Sequence, residues 1–240
     1  MKYEKALKIA GLKRYAVAAS AGAAAADEDQ GGCGNLVHLS DFRVMMNDTT
    51  QKTACPWLLK AVDFLNDVGL PTRIVDEVSG FLPHIRITQG ELECTLLADV
   101  SDLLHEAGHL ATIPEQFRAY MDGDVGKGQK RMFEEVGKDV RDPDGPLYRA
   151  MIQCSDPEAT AWGWAAGEHL QIPKELRVLD HHFEDGGADQ RMGLEMGYHF
   201  GINGLAHAGF CVTRPALAER MGRPAYPKLK YWIHPVINQD

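Results

Sequence analysis

Between positions 56 and 68 the apolar residues Leu58, Leu59, Val62, Phe64 and Leu65 recur at helical spacing and Gly69 follows as a stop, which predicts a helix. Beyond it the period shortens to that of strands. Residues 73–75, 81–87 and 92–97 read as short strands, with 88–91 (Thr-Gln-Gly-Glu) as a hairpin turn. Helical spacing returns at 101–113, where Leu103, Leu104, Ala107, Leu110 and Ala111 leave little polar surface. Ser101 is its candidate cap, Asp102 suits the positive end of the helix dipole, and Pro114 ends it. A second helix is expected from Asp156 as cap and Pro157 at the first position. Ala159, Ala161, Ala165 and Ala166 make it slim enough to lie against the first, while Trp162 and Trp164 fill space.

Further on, glycines 193, 197 and 201 alternate with Glu195, His199, Asn203 and His207, each set in steps of four. On one helix the two sets lie about 200° apart, predicting a glycine ridge for close packing and a polar stripe facing a wet cavity. Residues 1–32 read as an Ala-rich helix or arm ending in acidic and glycine residues, and 33–240 as a single domain. The stretch 114–147 is charged and glycine-rich, with surface turns at 122–124 and 141–146. Strands followed by helices place the chain in the α+β class, with a small, mostly antiparallel sheet packed on helices.

The chain has 240 residues, 45% of them hydrophobic, enough for a substantial core. Its formal charge of -9 argues against nucleic acid or an anionic membrane as partner, because phosphate binding needs concentrated positive charge. No run of twenty apolar residues is present to span a bilayer, and 15–26 lacks the leucine-rich centre of a secretory signal. The five cysteines are scattered with no Cys-x-x-Cys pair, the pattern of free thiols in a reducing compartment, and predict a cytoplasmic protein.

The chemistry concentrates at His105-Glu106-Ala107-Gly108-His109. Two histidines four apart stand one above the other on a helix face, so both imidazoles can reach one tetrahedral zinc ion. Glu106 is then placed to take a proton from metal-bound water rather than to bind the metal. Gly108 costs about 1 kcal/mol of helix propensity against Ala, which close approach of another backbone or a ligand would explain. A catalytic zinc takes three protein ligands and keeps a fourth position open. Glu158, in the first turn of the second helix, is the candidate third ligand; the plain alternative is a glutamate answering the helix dipole. Asp156, His169, His181 and His182 are the reserves. His199 or His207, or one of Tyr198, Tyr226 and Tyr231, is the candidate donor to an oxyanion.

The run Leu-Leu-His-Glu-Ala-Gly-His-Leu-Ala at 103–111, followed by Glu-x-x-Ala-x-x-x-Ala-Ala-x-x-x-Leu-x-x-Pro at 158–173, resembles the compact gluzincin metallopeptidases, particularly the ImmA/IrrE-type domains. That resemblance implies a zincin-like fold, zinc held by His105, His109 and Glu158, and Glu106 as general base. It implies a zinc-dependent metallopeptidase acting on peptide or protein substrates, with the strand at 92–97 offering its edge to the peptide. The competing reading is a non-catalytic module that keeps the zincin scaffold and binds a partner protein through the same groove.

Overall fold

Pro56 at the first helical position starts α1 (Pro56–Asp67), which buries Leu58, Ala61, Val62, Phe64 and Leu65 and stops at Gly69, as the spacing predicts. The computed structural model describes residues 55–136 and 145–237. The expectations for the arm at 1–32, for Cys33 and for the turn residues 141–144 lie outside those residues.

After α1 come β1 (Thr72–Ile74), β2 (Ile85–Thr88) and β3 (Glu91–Cys94), in the spatial order β1-β3-β2. β2 and β3 form the expected hairpin, with Thr88 opposite Glu91 and both turn residues, Gln89 and Gly90, at positive φ. That is the two-residue turn whose twist matches paired strands. Ile85, Ile87, Leu92 and Cys94 enter the core. On the other face Glu93 pairs with Arg73 at 2.9 Å and with Arg86, tying the two outer strands to the central one.

Two expectations change here. The sheet is mixed rather than mostly antiparallel, since β1 runs parallel to β3. The strand expected to hold a peptide is also the central one, with both edges paired, so it has no free edge to offer.

The helix bearing the histidines is α2 (Val100–Thr112). It begins two residues earlier than Ser101 suggests: Asp99 occupies the N-cap position and the Ser101 hydroxyl is buried without a partner. The next elements fill a stretch whose polarity masked them. α3 (Val125–Glu135) is capped by Asp124, which accepts from Lys127 N at 3.0 Å. It buries only Gly128 and Met132, so its apolar stripe is too narrow to register in a charged sequence. α4 (Pro146–Ile152) leads into the second long helix, α5 (Asp156–His169).

α2 and α5 pack antiparallel, Leu104 facing Gly163 and Gly108 facing Ala159. A Cβ on Gly108 would lie 2.5 Å from the Ala159 carbonyl oxygen and 2.7 Å from its Cα, so the close backbone approach inferred for this glycine is what the structure contains. Gly108→Ala should therefore destabilise the chain by about 1–3 kcal/mol through overpacking, outweighing about 1 kcal/mol gained in helix propensity. Urea unfolding measures it, and unchanged stability would mean that the helices can separate at little cost.

The single helix expected at 193–209 is two. α6 (Gly187–Glu195) ends at a left-handed Gly197 (φ +74), and α7 (Phe200–His207) begins after His199. Glycine just past the last turn terminates the helix, so it cannot be part of a packing ridge. The polar stripe is split with it: Glu195 pairs with Lys174 at 3.0 Å, and Asn203 is exposed on α7. Gly201 does pack closely, against the backbone at Pro157, which sets α7 on the first turn of α5.

The C-terminal segment straps the helix pair. His234 N donates to Ala111 O at 2.7 Å and Trp162 Nε1 to Trp232 O at 2.8 Å. Cys94, Cys154 and Cys211 are buried free thiols, and Cys55 is a partly buried one. Among the described residues no helix is long and apolar enough to cross a membrane.

Candidate metal centre

Antiparallel packing of α2 on α5 brings the start of α5 to the two histidines. The His105 and His109 rings lie 4.9 Å apart, nearly perpendicular. His109 Nδ1 lies 2.5 Å from the Cys154 carbonyl, so it carries the proton and donates. His105 Nδ1 lies 3.2 Å from Thr160 Oγ1, on the same face of α5. The Cys154 contact sets the His109 ring with its Nε2 toward Asp156, and the Thr160 hydroxyl holds the His105 ring, the kind of second contact that orients an imidazole for a metal.

The carboxylate that meets these nitrogens is Asp156. Its Oδ1 is 3.4 Å from His109 Nε2 and 3.9 Å from His105 Nε2, and the three ligand atoms all lie within 4.8 Å of one another. A tetrahedral zinc with bonds of about 2.0–2.1 Å holds its ligands about 3.3 Å apart. The His109–Asp156 edge already has that length. The half-exposed Asp156 side chain is free to close the remaining gaps. Two imidazoles and a carboxylate are a chemically suitable donor set.

Glu158, the predicted third ligand, is not in this cluster. α5 has Ser155 as N-cap, one residue earlier than predicted, so Asp156 is the first helical residue rather than the cap. Its carboxylate is thereby released from backbone duty and turned to the histidines. Ser155 Oγ instead donates to Glu158 Oε2, and the Glu158 side chain packs against Gly204 of α7. Burial raises the Glu158 pKa above its usual value, against the pull of the Ser155 hydroxyl. The signal was present in the sequence, since Ser155-Asp-Pro-Glu158 has the spacing of a capping box, which engages its glutamate. Thr160 and the Cys154 carbonyl, which orient the rings, carry no sequence signal of their own.

Glu106 is 8% exposed and has no hydrogen-bond partner among the described residues. Burial pushes its pKa up, while the neighbouring His109 pulls the other way. A buried carboxylate of raised pKa beside a titrating histidine is the kind of perturbed group from which a functional site is argued.

The histidines themselves differ. Burial and the adjacent His109 hold His105 down to about 4, so it is neutral near pH 7. For His109 burial opposes charge, but Asp156 and Glu106 outweigh it and hold the pKa above the usual histidine value. Metal uptake must therefore displace a proton from His109. Zinc binding below the His109 pKa should release a proton from that ring, with affinity falling as pH drops and levelling off once pH exceeds that pKa. Calorimetry in buffers of different ionisation enthalpy measures the proton, and proton-neutral uptake would place the ion elsewhere.

The remaining candidates are engaged elsewhere. His199 caps α7, accepting from Gly201 N at 3.2 Å through Nδ1, and its Nε2 lies 2.9 Å from Gln190 Oε1, so neither nitrogen is spare. His207 is exposed beside Arg149 at 3.2 Å. The break at Gly197 is what removes both from a common face with the cluster. Tyr226 and Tyr231 donate to Ala161 O and Ala208 O, and Tyr198 is 60% exposed. His169 stacks with Phe64 and Trp232 at the far end of α5. His182 is the exception, lying 3.1 Å from Asp102 on α2.

Two surface recesses, of about 300 and 480 Å³, border Glu168 at that far end of α5. A helix rises 1.5 Å per residue, so they are about 18 Å from Asp156 along the axis and are not part of the cluster. Comparisons with protein-family models, curated proteins and solved structures return no match.

Proposed function

We propose that this chain is a metal-dependent hydrolase, with zinc as the metal and peptides as substrate. The observation that carries this reading is the convergence of His105 Nε2, His109 Nε2 and Asp156 Oδ1 beside the buried, unpaired Glu106. Zinc bound there would supply Lewis acidity and lower the pKa of a water molecule. Glu106 accepts that water's proton and returns it to the leaving amine, a transfer that a carboxylate of raised pKa performs near neutrality. Asp156 contributes negative charge to the site, the Cys154 carbonyl accepts from His109 Nδ1, and Thr160 holds the His105 ring in place.

Two histidines and a carboxylate also suit Fe(II) in an oxygenase. Glu106 favours hydrolysis, because an iron site of that kind has no use for a buried free carboxylate between its histidines. Choice of a peptide substrate follows the resemblance of 103–111 and 158–173 to gluzincin metallopeptidases.

The test is elemental analysis joined to an assay. Purified protein should carry one zinc per chain and cleave a quenched-fluorescence peptide library; a chelator should abolish cleavage and added zinc restore it. Cleavage indifferent to chelation, or stoichiometric iron, would overturn the reading.

A further inference from the structure

Four large apolar side chains stand in the open where α6 turns into α7: Met192 is 47% exposed, Met196 68%, Tyr198 60% and Phe200 82%. Single exposed apolar residues are ordinary; four together on one corner are not. At 100° per residue Met192, Gly193 and Met196 fall within about 100° of one face of α6. The left-handed Gly197 then reverses the chain, and Tyr198 comes back over that face, its ring carbon 3.4 Å from where a Cβ on Gly193 would stand. The apolar surface is therefore continuous across the turn. It is also fixed in place, because the His199 ring lies 2.9 Å from Gln190 Oε1 on α6 while Gly201 is seated against the Pro157 backbone.

Charge indicates what covers this corner. Asp189 is one turn before Met192 and shares its face, and Glu184 and Asp185 are exposed in the turn just ahead of α6. None of the three forms an ion pair among the described residues, whereas Lys174 and Arg191 are taken up by Glu195 and Asp180. The face is thus apolar at its centre and negative at its border. An anionic lipid surface would be repelled by that border, and so would a second copy presenting the same acids.

We propose that the α6–α7 corner docks a basic amphipathic helix of another protein. Its apolar side chains lie on Met192, Met196, Tyr198 and Phe200, and its lysines or arginines meet Asp189, Glu184 and Asp185. Methionine is unbranched and polarisable, so two of the four contacts adapt to different apolar partners, while the acidic border selects for positive charge. None of these residues belongs to the metal cluster, and the inference does not rest on the hydrolase reading.

The probe is a fluorescently labelled synthetic peptide of about five helical turns, with leucine at helical spacing and lysine at the remaining positions, titrated into the full chain. Wild type should bind it equally with and without added zinc. Met196→Ala and Phe200→Ala should each weaken binding by about 5-fold or more, and Asp189→Lys by about 3- to 10-fold, the latter difference disappearing at high salt. All three positions are exposed, so melting temperatures should not move. A peptide with glutamate in place of lysine should bind at least about 10-fold more weakly. No binding by wild type, equal affinity in wild type and the Met196 and Phe200 variants, or equal affinity for the two peptides would each overturn the proposal. Anionic vesicles that bind wild type and displace the peptide would assign the corner to a membrane instead. A wild-type dimer that Phe200→Ala dissociates, with no peptide bound, would assign it to a second copy of this chain. Failure of zinc uptake would sink the metal reading and leave this test intact.

Discussion

Glu106→Gln is expected to retain stoichiometric zinc while peptide turnover falls by about 10²-fold or more. The candidate ligand atoms belong to His105, His109 and Asp156, so removing a charge that is not among them leaves the donor set intact. What disappears is the acceptor for the proton of water. The same substitution should raise the melting temperature of the metal-free chain at pH 7, because it removes a buried carboxylate with no hydrogen-bond partner. The sign follows from the raised pKa: the cost of burying the Glu106 carboxyl is absent below the ordinary glutamate value, grows as pH rises from there to the folded value, and stays constant above it. Wild type and variant should therefore have similar stability at pH 4 and differ at pH 7. Faster unfolding of the variant at pH 7, or equal turnover, would remove Glu106 from the role of base. Higher stability with lost turnover is the trade expected of a group retained for chemistry.

The elements that sequence made legible are those with a strong local code. α1 and α2 carry apolar residues at helical spacing between recognisable stops, and the β2–β3 hairpin follows from Gln89-Gly90 between alternating residues. The pairing of β1 with β3 was not legible, because strand order is decided by long-range packing and three short strands say little about which one becomes central. α3 and α4 were hidden by polarity, since helices that bury two residues each leave almost no periodic trace. At 193–209 the regular four-residue spacing was real but misleading. Gly197 could serve either as a ridge or as a stop, and periodicity alone cannot distinguish them.

The candidate site shows the same division. His105, Glu106 and His109 were legible because one helix fixes their relation. The third carboxylate was not, because it depends on where α5 starts. Moving the N-cap from Asp156 to Ser155 rotates which of two nearby carboxylates faces the histidines, and one residue is within the ordinary error of locating a helix end.

That one-residue shift makes a sharp prediction for the ligand set. Asp156→Ala should weaken zinc binding by at least about 10²-fold, since it removes the oxygen that lies 3.4 Å from His109 Nε2 and leaves two histidines to hold the ion. Glu158→Ala should leave zinc affinity within a few-fold of wild type. Its effect should fall on stability, by about 0.5–2 kcal/mol, because it breaks the Ser155 contact at the start of α5 and leaves space against Gly204. Competition with a chromophoric chelator gives the affinities and urea unfolding of the metal-free chains gives the stabilities, so the two effects are separately readable. The reverse pattern, zinc lost from Glu158→Ala and kept by Asp156→Ala, would mean that metal binding swings the first turn of α5 and breaks the Ser155–Glu158 contact. In that case the ligand set drawn from the resemblance would stand, and Asp156 would be only the placeholder that meets the histidines while the metal is away.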